Sequence, residues 1–315
     1  MQHSPRKCLI VQPIAETAVR LLEGRGLEVH TAVDTRLDTL RPFLAEAEVV
    51  ITRNHGLSVD EIAAAPFLKV VGVHGTGTDK VHKPSLLARN IPLVNTPGAN
   101  AQSVAELVIA LILGCSRALL AADHASRTGN GNFRVTHPTF EISGRKLGLI
   151  GYGNISKLVA RLALAFGMQV AASSRFTPET DLIREGILPM QDIDQLCEWA
   201  DILSLHGVPE ATPTIDARRL AMLGPQGLLI NTARGPLIDE RALADALNAG
   251  TIAGAGLDVL HHEPIEDGHP LLACPNLILT PHIGGSTQEA LEKTGMQVAT
   301  KVLAELDKLG DAQPA

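Results

Sequence analysis

The chain has few aromatic side chains, since only 3% of its 315 residues are Phe, Trp or Tyr. A hydrophobic core must therefore be built mainly from Leu, Ile, Val and Ala. Bases are also in the minority, with 27 Lys and Arg against 34 Asp and Glu and a formal charge of -7. This composition lacks the basic footprint of a nucleic-acid binder. A small anionic ligand would have to be held by local basic groups rather than by the field of the whole protein.

Cysteines and long apolar runs are scarce as well. The four cysteines, Cys8, Cys115, Cys197 and Cys274, show no metal-type spacing. We expect free thiols in a reducing compartment and no metal site. The apolar run near the start is too short for a secretory signal. The longest helical apolar run, residues 107–113, is far below the roughly 18 residues that span a bilayer. These features predict a cytoplasmic protein without a membrane segment.

Short β-rich segments alternate with helical patterns from the start of the chain, at residues 8–12, 27–32, 49–52, 69–74 and 92–96. Such alternation is typical of βαβ units with a parallel sheet covered by helices. A long helix is predicted next, over about residues 101–121, where Ser103 and Glu106 have the spacing of a capping box. The following loop, residues 128–138, is rich in Gly, Asn, His and Pro and indicates a hinge or boundary.

A second alternating set has seven candidate strands, at residues 146–151, 168–173, 187–190, 201–205, 227–231, 253–259 and 277–280. Seven strands are enough for a complete doubly wound sheet. An amphipathic helix over residues 288–309 comes after them. Because the chain exceeds the usual size of a single core, two domains are expected.

A glycine turn follows the first strand of this second set. Residues 146–150 have the pattern of a mainly apolar strand, and Gly151-Tyr-Gly153-Asn-Ile-Ser156 leads at once into a helical pattern. This strand–turn–helix order is the context that a dinucleotide fingerprint requires, although Ser156 replaces the usual third glycine. Gly151 permits the tight turn, and Gly153 allows the backbone to approach a pyrophosphate. The predicted dinucleotide contacts are Gly151, Gly153, Asn154 and Ile155; the alternative is a glycine turn without a ligand.

The next strand ends without an acidic residue. NAD enzymes usually carry a carboxylate there for the ribose 2′-hydroxyl, whereas this chain has Ser174 followed by Arg175. A hydroxyl and a cation suit a 2′-phosphate, which a carboxylate would repel. The pair therefore favours NADP over NAD; the alternative is that Arg175 is a solvated surface residue.

Three strands near the end of the set are each followed by a residue with catalytic potential: Arg234, Glu263 and His282. The carboxyl ends of parallel strands are where an open α/β sheet binds ligands. Arginine can hold a carboxylate bidentately, and histidine can exchange a proton near neutral pH. A nearby carboxylate would stabilise the imidazolium form. Singly, these residues could be a surface ion pair, a loop end and a packed histidine.

Five motifs give the chain a strong resemblance to the D-2-hydroxyacid dehydrogenase family, which includes glyoxylate/hydroxypyruvate reductases, D-lactate dehydrogenases and phosphoglycerate dehydrogenases. They are NTARG at 231–235, GLDV at 256–259, HEP at 262–264, TPHIGG at 280–285 and VNTPGANAQSVAE at 94–106. The resemblance extends over nearly the whole chain. It implies an α/β fold with two doubly wound parallel-sheet domains. A flavodoxin-like substrate domain would comprise residues 1–100 and 287–315, and a Rossmann cofactor domain residues 101–286.

The resemblance also implies roles for individual residues. Arg234 would bind and polarise the substrate, His282 would be the acid/base, and Glu263 would be its partner. Cofactor contacts are implied at Ala233, Asp258 and Gly285, the first two with the nicotinamide carboxamide. Substrate contacts are implied at Arg53, Gly75, Thr76 and Gly77, where the glycine loop offers N–H groups to a carboxylate. A turn without a ligand is the alternative for that loop. Family members are usually dimers, so a homodimer is expected.

The function implied is hydride transfer between NADPH, or NADH, and a small 2-keto acid such as hydroxypyruvate or glyoxylate, giving a D-2-hydroxy acid. One alternative is an NAD-dependent phosphoglycerate-type dehydrogenase. Ser174 and Arg175 argue against it, and with the last predicted helix ending near residue 309 we expect no room for the regulatory domain of many such enzymes. The other alternative is a nucleotide-sensing relative without turnover. The intact set of Arg234, Glu263 and His282 favours catalysis.

Overall fold

Two compact units make up the chain in the computed structural model, which describes residues 5–311. One comprises Met1–Asn100 with Gly285–Ala315, and the other Ala101–Gly284. Each is built on a single parallel sheet, of five strands in the first unit and seven in the second. We call them the five-stranded unit and the seven-stranded unit. The predicted fold class, two α/β parallel-sheet domains, is confirmed.

The five-stranded unit has the strand order β2-β1-β3-β4-β5, which is the flavodoxin-like order. Its strands are β1 (Arg6–Ile10), β2 (Leu27–Thr31), β3 (Val49–Thr52), β4 (Val70–Val73) and β5 (Leu93–Val94). Its helices are α1 (Glu16–Gly24), α2 (Leu37–Leu44), α3 (Val59–Ala63), α4 (Lys83–Ala88) and the last helix of the chain, Gln288–Asp311. Every residue of β3 and β4 is buried, as expected for central strands covered on both faces.

The seven-stranded unit is doubly wound around its first strand. Its strands are β6 (Lys146–Ile150), β7 (Gln169–Ser173), β8 (Leu188–Pro189), β9 (Ile202–Leu205), β10 (Leu228–Asn231), β11 (Gly254–Leu257) and β12 (Leu277–Leu279). Their order is β12-β11-β10-β9-β6-β7-β8. Strand order therefore reverses at β6, between β7 and β9, and ligands bind at such switch points.

Helices of this unit vary from one turn to more than four. They are α5 (Ala101–Ser116), α6 (Leu119–Arg127), α7 (Phe133–Thr136), α8 (Asn154–Ala165), α9 (Glu179–Arg184), α10 (Ile193–Trp199), α11 (Ala217–Leu223) and α12 (Glu240–Asn248). With these assigned, the last helix, Gln288–Asp311, is α13. Short 3-10 turns at Gly235–Leu237 and Pro270–Ala273 follow β10 and β11.

Aliphatic side chains fill the core of both units, as the composition predicted. Of the Phe, Trp and Tyr side chains within residues 5–311, only Tyr152 is buried. Two hydrophobic clusters lie in each unit, one for each face of its sheet. The packing energy therefore comes from many Leu, Ile, Val and Ala contacts, each worth little alone.

The single long helix predicted over residues 101–121 is wrong. Helix α5 ends at Ser116, Ala118 adopts a left-handed conformation with φ of 47°, and α6 begins at Leu119. Within the described part of the chain, no single helix is long and apolar enough to cross a membrane; α5 and α6 pass that test only as a pair, bent by 56°. Neither Gly nor Pro marks this break, so the sequence carried no signal for it.

The predicted capping box at Ser103 is also wrong. Helix α5 begins two residues earlier, so Ser103 lies inside it, and Glu106 accepts a hydrogen bond from Gln102 instead. The Ser103 hydroxyl donates to the carbonyl of Gly284 at 2.6 Å. This serine therefore attaches the loop after β12 to helix α5.

A buried histidine, His74, lies at the end of β4. It is 7% exposed, and its Nε2 donates to the carbonyl of Leu291 at 3.3 Å. Burial first, and the charge of Arg53 second, lower the pKa of His74 from 6.5 to about 4. Burial also lowers the pKa of His206 to about 4. Both are therefore neutral in the folded protein at pH 7.

We expect the free energy of unfolding to fall as the pH drops from about 6.5 to about 4. In this window the unfolded chain protonates both histidines and the folded chain does not, so protons favour unfolding. Each histidine contributes a slope of about 1.4 kcal/mol per pH unit. Urea titrations of wild type and His74→Gln measure it, with a shallower slope expected for the variant. Parallel curves across this window would exclude the contribution of His74.

Candidate active site

Three adjacent parallel strands of the seven-stranded unit present the predicted catalytic residues at one edge. Strand β11 pairs with β10 on one side and β12 on the other. Arg234 follows β10, Asp258 and Glu263 follow β11, and His282 follows β12. Because carboxyl ends of parallel strands share an edge, the loops that carry these side chains are neighbours.

His282 and Glu263 form a hydrogen-bonded pair. The ring Nδ1 of His282 lies 2.9 Å from Oε2 of Glu263, with side chains 29% and 23% exposed. The other carboxylate oxygen of Glu263 accepts the backbone N–H of Leu260 at 3.1 Å. Since Nδ1 donates to Glu263, Nε2 is the ring nitrogen left to exchange a proton with a ligand. The pair thus has the orientation that an acid/base histidine needs.

The backbone of His282 is held in an unusual conformation by Asp258. His282 has a φ of 55°, in the left-handed region that residues other than glycine rarely adopt. Its N–H donates to the Asp258 carbonyl at 2.9 Å. The Asp258 carboxylate is 2% exposed and accepts from Thr280 Oγ1, Ile283 N and Gly284 N at 2.6–2.8 Å. Three donors compensate the buried charge. Asp258 therefore positions the loop that carries His282.

Asn231 shapes the loop that carries Arg234. This asparagine is fully buried; its Nδ2 donates to the Arg234 carbonyl at 2.8 Å, and its Oδ1 accepts the Ala233 N–H at 3.0 Å. The guanidinium Nη1 of Arg234 donates to the Ala233 carbonyl at 2.6 Å. One guanidinium nitrogen is thereby fixed to the backbone, which orients the planar group.

Close packing against the next loop explains why the NTARG motif ends in a glycine, Gly235. A Cβ at this position would lie 2.1 Å from the carbonyl carbon of Leu260, so only glycine permits this contact between the loops after β10 and β11. The second loop is fixed further by Glu240, whose carboxylate accepts the His261 N–H at 2.7 Å. The loops bearing Arg234 and Glu263 are therefore packed backbone to backbone.

The glycine turn after β6 has the shape of a dinucleotide site. Gly151 has a φ of 95°, and a Cβ there would lie 2.8 Å from the His206 carbonyl. The fully buried Ser156 accepts the Gly153 N–H through its hydroxyl at 2.6 Å and donates back to the Gly153 carbonyl. A Cβ on Gly153 would meet no atom within 4 Å, so the space before the N-terminus of α8 is open. These residues fit a pyrophosphate there.

The loop after β7 is attached to the glycine turn. Ser174 Oγ accepts the N–H of Thr177 at 3.2 Å, and the hydroxyl of Thr177 donates to the Tyr152 carbonyl at 2.9 Å. Arg175 is paired through Nη1 with Oε1 of Glu210 at 2.6 Å. Sequence reasoning missed Glu210, because nothing in its own loop pattern, after β9, indicates a contact with Arg175.

In the five-stranded unit, the glycine loop after β4 is braced by the segment after β5. The Gly75 N–H donates to Thr96 Oγ1 at 3.0 Å, and the Thr76 carbonyl accepts from Asn95 Nδ2 at 2.7 Å. The Gly75 N–H, which the resemblance assigns to a substrate carboxylate, thus already has an acceptor within the unit. Thr76 and Gly77 are the other residues of this loop whose N–H groups the resemblance assigns to the substrate carboxylate.

Arg53 lies where the strand order of the five-stranded sheet reverses, between β1 and β3. Its Nη1 donates to the Pro13 carbonyl at 2.8 Å, and burial lowers its pKa. Two residues on, His55 Nε2 contacts the buried carboxylate of Glu61 at 2.7 Å. This edge of the sheet therefore carries a half-buried cation.

Residues 5–311 contain no group of three or more His, Cys, Asp and Glu side chains that could hold a metal ion. The four cysteines are free thiols.

Together, the doubly wound sheet, the glycine turn and the Arg–Glu–His constellation define a dinucleotide-dependent oxidoreductase class. The family model "D-isomer specific 2-hydroxyacid dehydrogenase, NAD binding domain" matches residues 109–284. The chain belongs to the D-isomer specific 2-hydroxyacid dehydrogenase family, which confirms the resemblance seen in its motifs.

Relatives in this family carry two kinds of name. The chain is 37% identical over 300 residues to the hydroxypyruvate reductase of Thermotoga maritima, covering 93% of this chain and 96% of the relative. It is 36% identical over 300 residues to the D-3-phosphoglycerate dehydrogenase of Methanocaldococcus jannaschii, covering 94% of this chain but only 56% of that protein. The chain thus spans about half the length of the second relative.

A solved structure with a similar fold contains NADP. The NADPH-dependent glyoxylate/hydroxypyruvate reductase of Sinorhizobium meliloti, in complex with NADP and malonate, has a TM-score of 0.84 and 30% identity to this chain. The match covers 96% of this chain and 94% of the other.

Proposed function

We propose that this protein reduces a small 2-keto acid, such as hydroxypyruvate or glyoxylate, to the D-2-hydroxy acid with NADPH. The observation that carries the proposal is the 2.9 Å pair between His282 Nδ1 and Glu263, beside the loop of Arg234 in a unit with a dinucleotide turn. The membership of the family supports the reaction class, and the Thermotoga and Sinorhizobium relatives bear the names of such reductases.

When bound, a dihydronicotinamide would supply a hydride for the keto carbon of the substrate. Arg234 holds the substrate carboxylate and polarises the carbonyl. His282, protonated, gives the proton on Nε2 to the carbonyl oxygen, which becomes the hydroxyl. Glu263 stabilises the imidazolium before transfer and keeps the ring oriented afterwards. One hydride and one proton are thus added, and the neutral His282 is reprotonated from solvent.

The residues predicted for the cofactor remain proposals for this chain. Gly151, Gly153, Asn154 and Ile155 would bind the pyrophosphate, with Ser174 and Arg175 at the 2′-phosphate. The Ala233 carbonyl and Asp258 would contact the nicotinamide carboxamide, and Gly285 would be a further cofactor contact. Support comes from the open space at Gly153 and from the family match of this unit.

Further proposals concern the five-stranded unit and the assembly. We assign substrate binding to this unit, with Thr76 and Gly77 offering N–H groups to the carboxylate beside Gly75. Arg53 would contact the end of the substrate that does not react. We also propose a homodimer in the cytoplasm that binds neither nucleic acid nor membrane.

The experiment that tests the function is a steady-state assay of the purified protein with NADPH and with NADH. The substrates are glyoxylate, hydroxypyruvate and 3-phosphohydroxypyruvate, the last because a phosphoglycerate dehydrogenase is among the relatives. We expect oxidation of NADPH with glyoxylate or hydroxypyruvate. Turnover only with 3-phosphohydroxypyruvate and NADH would favour the phosphoglycerate-type function. No turnover with any pair would favour a nucleotide-sensing role.

Coenzyme preference gives a second prediction. Arg175→Ala should raise the KM for NADPH by about tenfold, because only NADPH carries the 2′-phosphate that needs this cation. The KM for NADH should change much less. A matched control is Arg184→Ala, which removes an exposed arginine paired with Asp181 on α9. If the wild type has the lower KM for NADH, or if Arg175→Ala weakens both coenzymes equally, the assignment of Arg175 is wrong.

A further inference from the structure

Arg175 and Glu210 connect the two loops on either side of the glycine turn. In the sheet, β6 lies between β7 and β9. Parallel strands are about 4.8 Å apart, so the ends of β7 and β9 are separated by roughly 10 Å. Arg175 follows β7 and Glu210 follows β9, yet their side chains meet at 2.6 Å. The ion pair therefore bridges the loops beside the carboxyl end of β6, where the sheet binds ligands.

The backbone beside Arg175 is fixed, whereas the ion pair itself is largely exposed. The backbone beside Arg175 is fixed by Thr177, which hydrogen-bonds both Ser174 and the carbonyl of Tyr152 in the glycine turn. The side chains of Arg175 and Glu210 are 70% and 51% exposed. An ion pair this exposed contributes little to stability because water and salt screen it, so a better anion can displace the carboxylate.

We propose that Glu210 determines cofactor selectivity: its carboxylate competes with the 2′-phosphate of NADP(H) for Arg175 and so limits the preference for that cofactor. This inference rests on the proposed use of NADPH. The site has no acid at the end of β7, and Glu210 brings a carboxylate to the same guanidinium from the other side of the turn. A phosphate dianion placed on Arg175 must separate the pair and then lies near a like charge, which disfavours it. NAD(H) has no such group and leaves the pair intact.

The test is the equilibrium binding of two nucleotide fragments to the full chain, measured by titration calorimetry. The fragments 2′,5′-ADP and 5′-AMP differ only in the 2′-phosphate. In Glu210→Gln the neutral amide keeps the side-chain shape but no longer competes as an anion. We expect the Kd for 2′,5′-ADP to fall by about three- to tenfold, and the Kd for 5′-AMP to stay within about twofold.

Two further variants separate a local effect from a general charge effect. Glu198→Gln makes the same charge change at an exposed residue of α10 and should leave both Kd values unchanged. Adding Glu210→Gln to Arg175→Ala should give a smaller gain than in the wild-type background, because the cation for which the anions compete is gone. The gain should also shrink at high salt, since exposed charges are screened.

An unchanged Kd for 2′,5′-ADP in Glu210→Gln would overturn the proposal. An equal gain for 5′-AMP, or the same gain in Glu198→Gln, would overturn it too, as would a failure of every variant to bind either fragment. None of these measurements requires turnover. A protein that shows the expected ratio but reduces no keto acid would contradict the proposed function and leave the role of Glu210 standing.

Discussion

Replacing His282 by alanine is expected to lower kcat for keto-acid reduction by about 10²- to 10⁴-fold, the usual contribution of a positioned acid/base. The variant loses the Nε2 proton that the carbonyl oxygen must receive as the hydride arrives. NADPH binding should be nearly unchanged, because the glycine turn after β6 is a separate loop from that after β12. Steady-state kinetics measure kcat, and an NADPH fluorescence titration measures the binding of the coenzyme. A fully active His282→Ala protein would exclude the acid/base role.

His262, next to Glu263 in the sequence, provides a matched control for His282→Ala. His262→Ala removes an exposed histidine next to Glu263 and should keep most activity.

Glu263→Gln retains the shape of the side chain that pairs with His282 but not its charge, so it cannot stabilise the imidazolium form of His282 as well. We expect kcat for reduction to fall by at least about tenfold in Glu263→Gln, because the neutral amide holds the charged ring less well. A Glu263→Gln protein with the kcat of the wild type would remove Glu263, paired with His282 at 2.9 Å, from the reaction.

Arg234→Lys is expected to lower kcat/KM for every accepted keto acid by at least about tenfold, or about 1.4 kcal/mol of transition-state stabilisation. Lysine keeps the positive charge but cannot donate to the Ala233 carbonyl and hold a carboxylate bidentately at once. The loss should fall on the substrate and not on NADPH. Steady-state kinetics at saturating NADPH measure it.

The control for Arg234 is another arginine of the same unit. Arg241→Lys changes an exposed side chain that pairs with Asp245 on α12, and its kcat/KM should match that of the wild type. Equal values for Arg234→Lys and wild type on all substrates would remove Arg234 from the reaction.

Sequence patterns predicted the sheets well because nearly every strand is a short apolar run between turn residues. Both faces of β3, β4, β9, β10 and β11 are buried, so their residues are almost all apolar. The break between α5 and α6 was missed because Ala118, with no Gly or Pro beside it, takes the left-handed conformation. Tertiary packing, which the local pattern does not contain, decides such a break.

The candidate catalytic residues could be found from sequence because each follows a strand and belongs to a recognisable motif. The positioning roles of Asn231 and Asp258 could not be found in this way. Asn231 and Asp258 act through hydrogen bonds to the backbone of neighbouring loops, and these bonds exist only once the strands are aligned. The resemblance implies a contact of Asp258 with the nicotinamide, but it gives no sign that the Asp258 carboxylate also holds the loop of His282. Glu210 was missed for the same reason, since its contact with Arg175 crosses the sheet.

Deuterium transfer tests the central claim most directly. The protein is supplied with NADPH that carries deuterium at both C4 positions of the nicotinamide, and with hydroxypyruvate or glyoxylate. Hydride transfer as proposed places one deuterium on C2 of the hydroxy acid, and hydroxypyruvate should give only the D isomer of glycerate. Mass spectrometry and chiral chromatography measure both. Product without deuterium at C2, the L isomer of glycerate, or no product from any 2-keto acid would contradict the account.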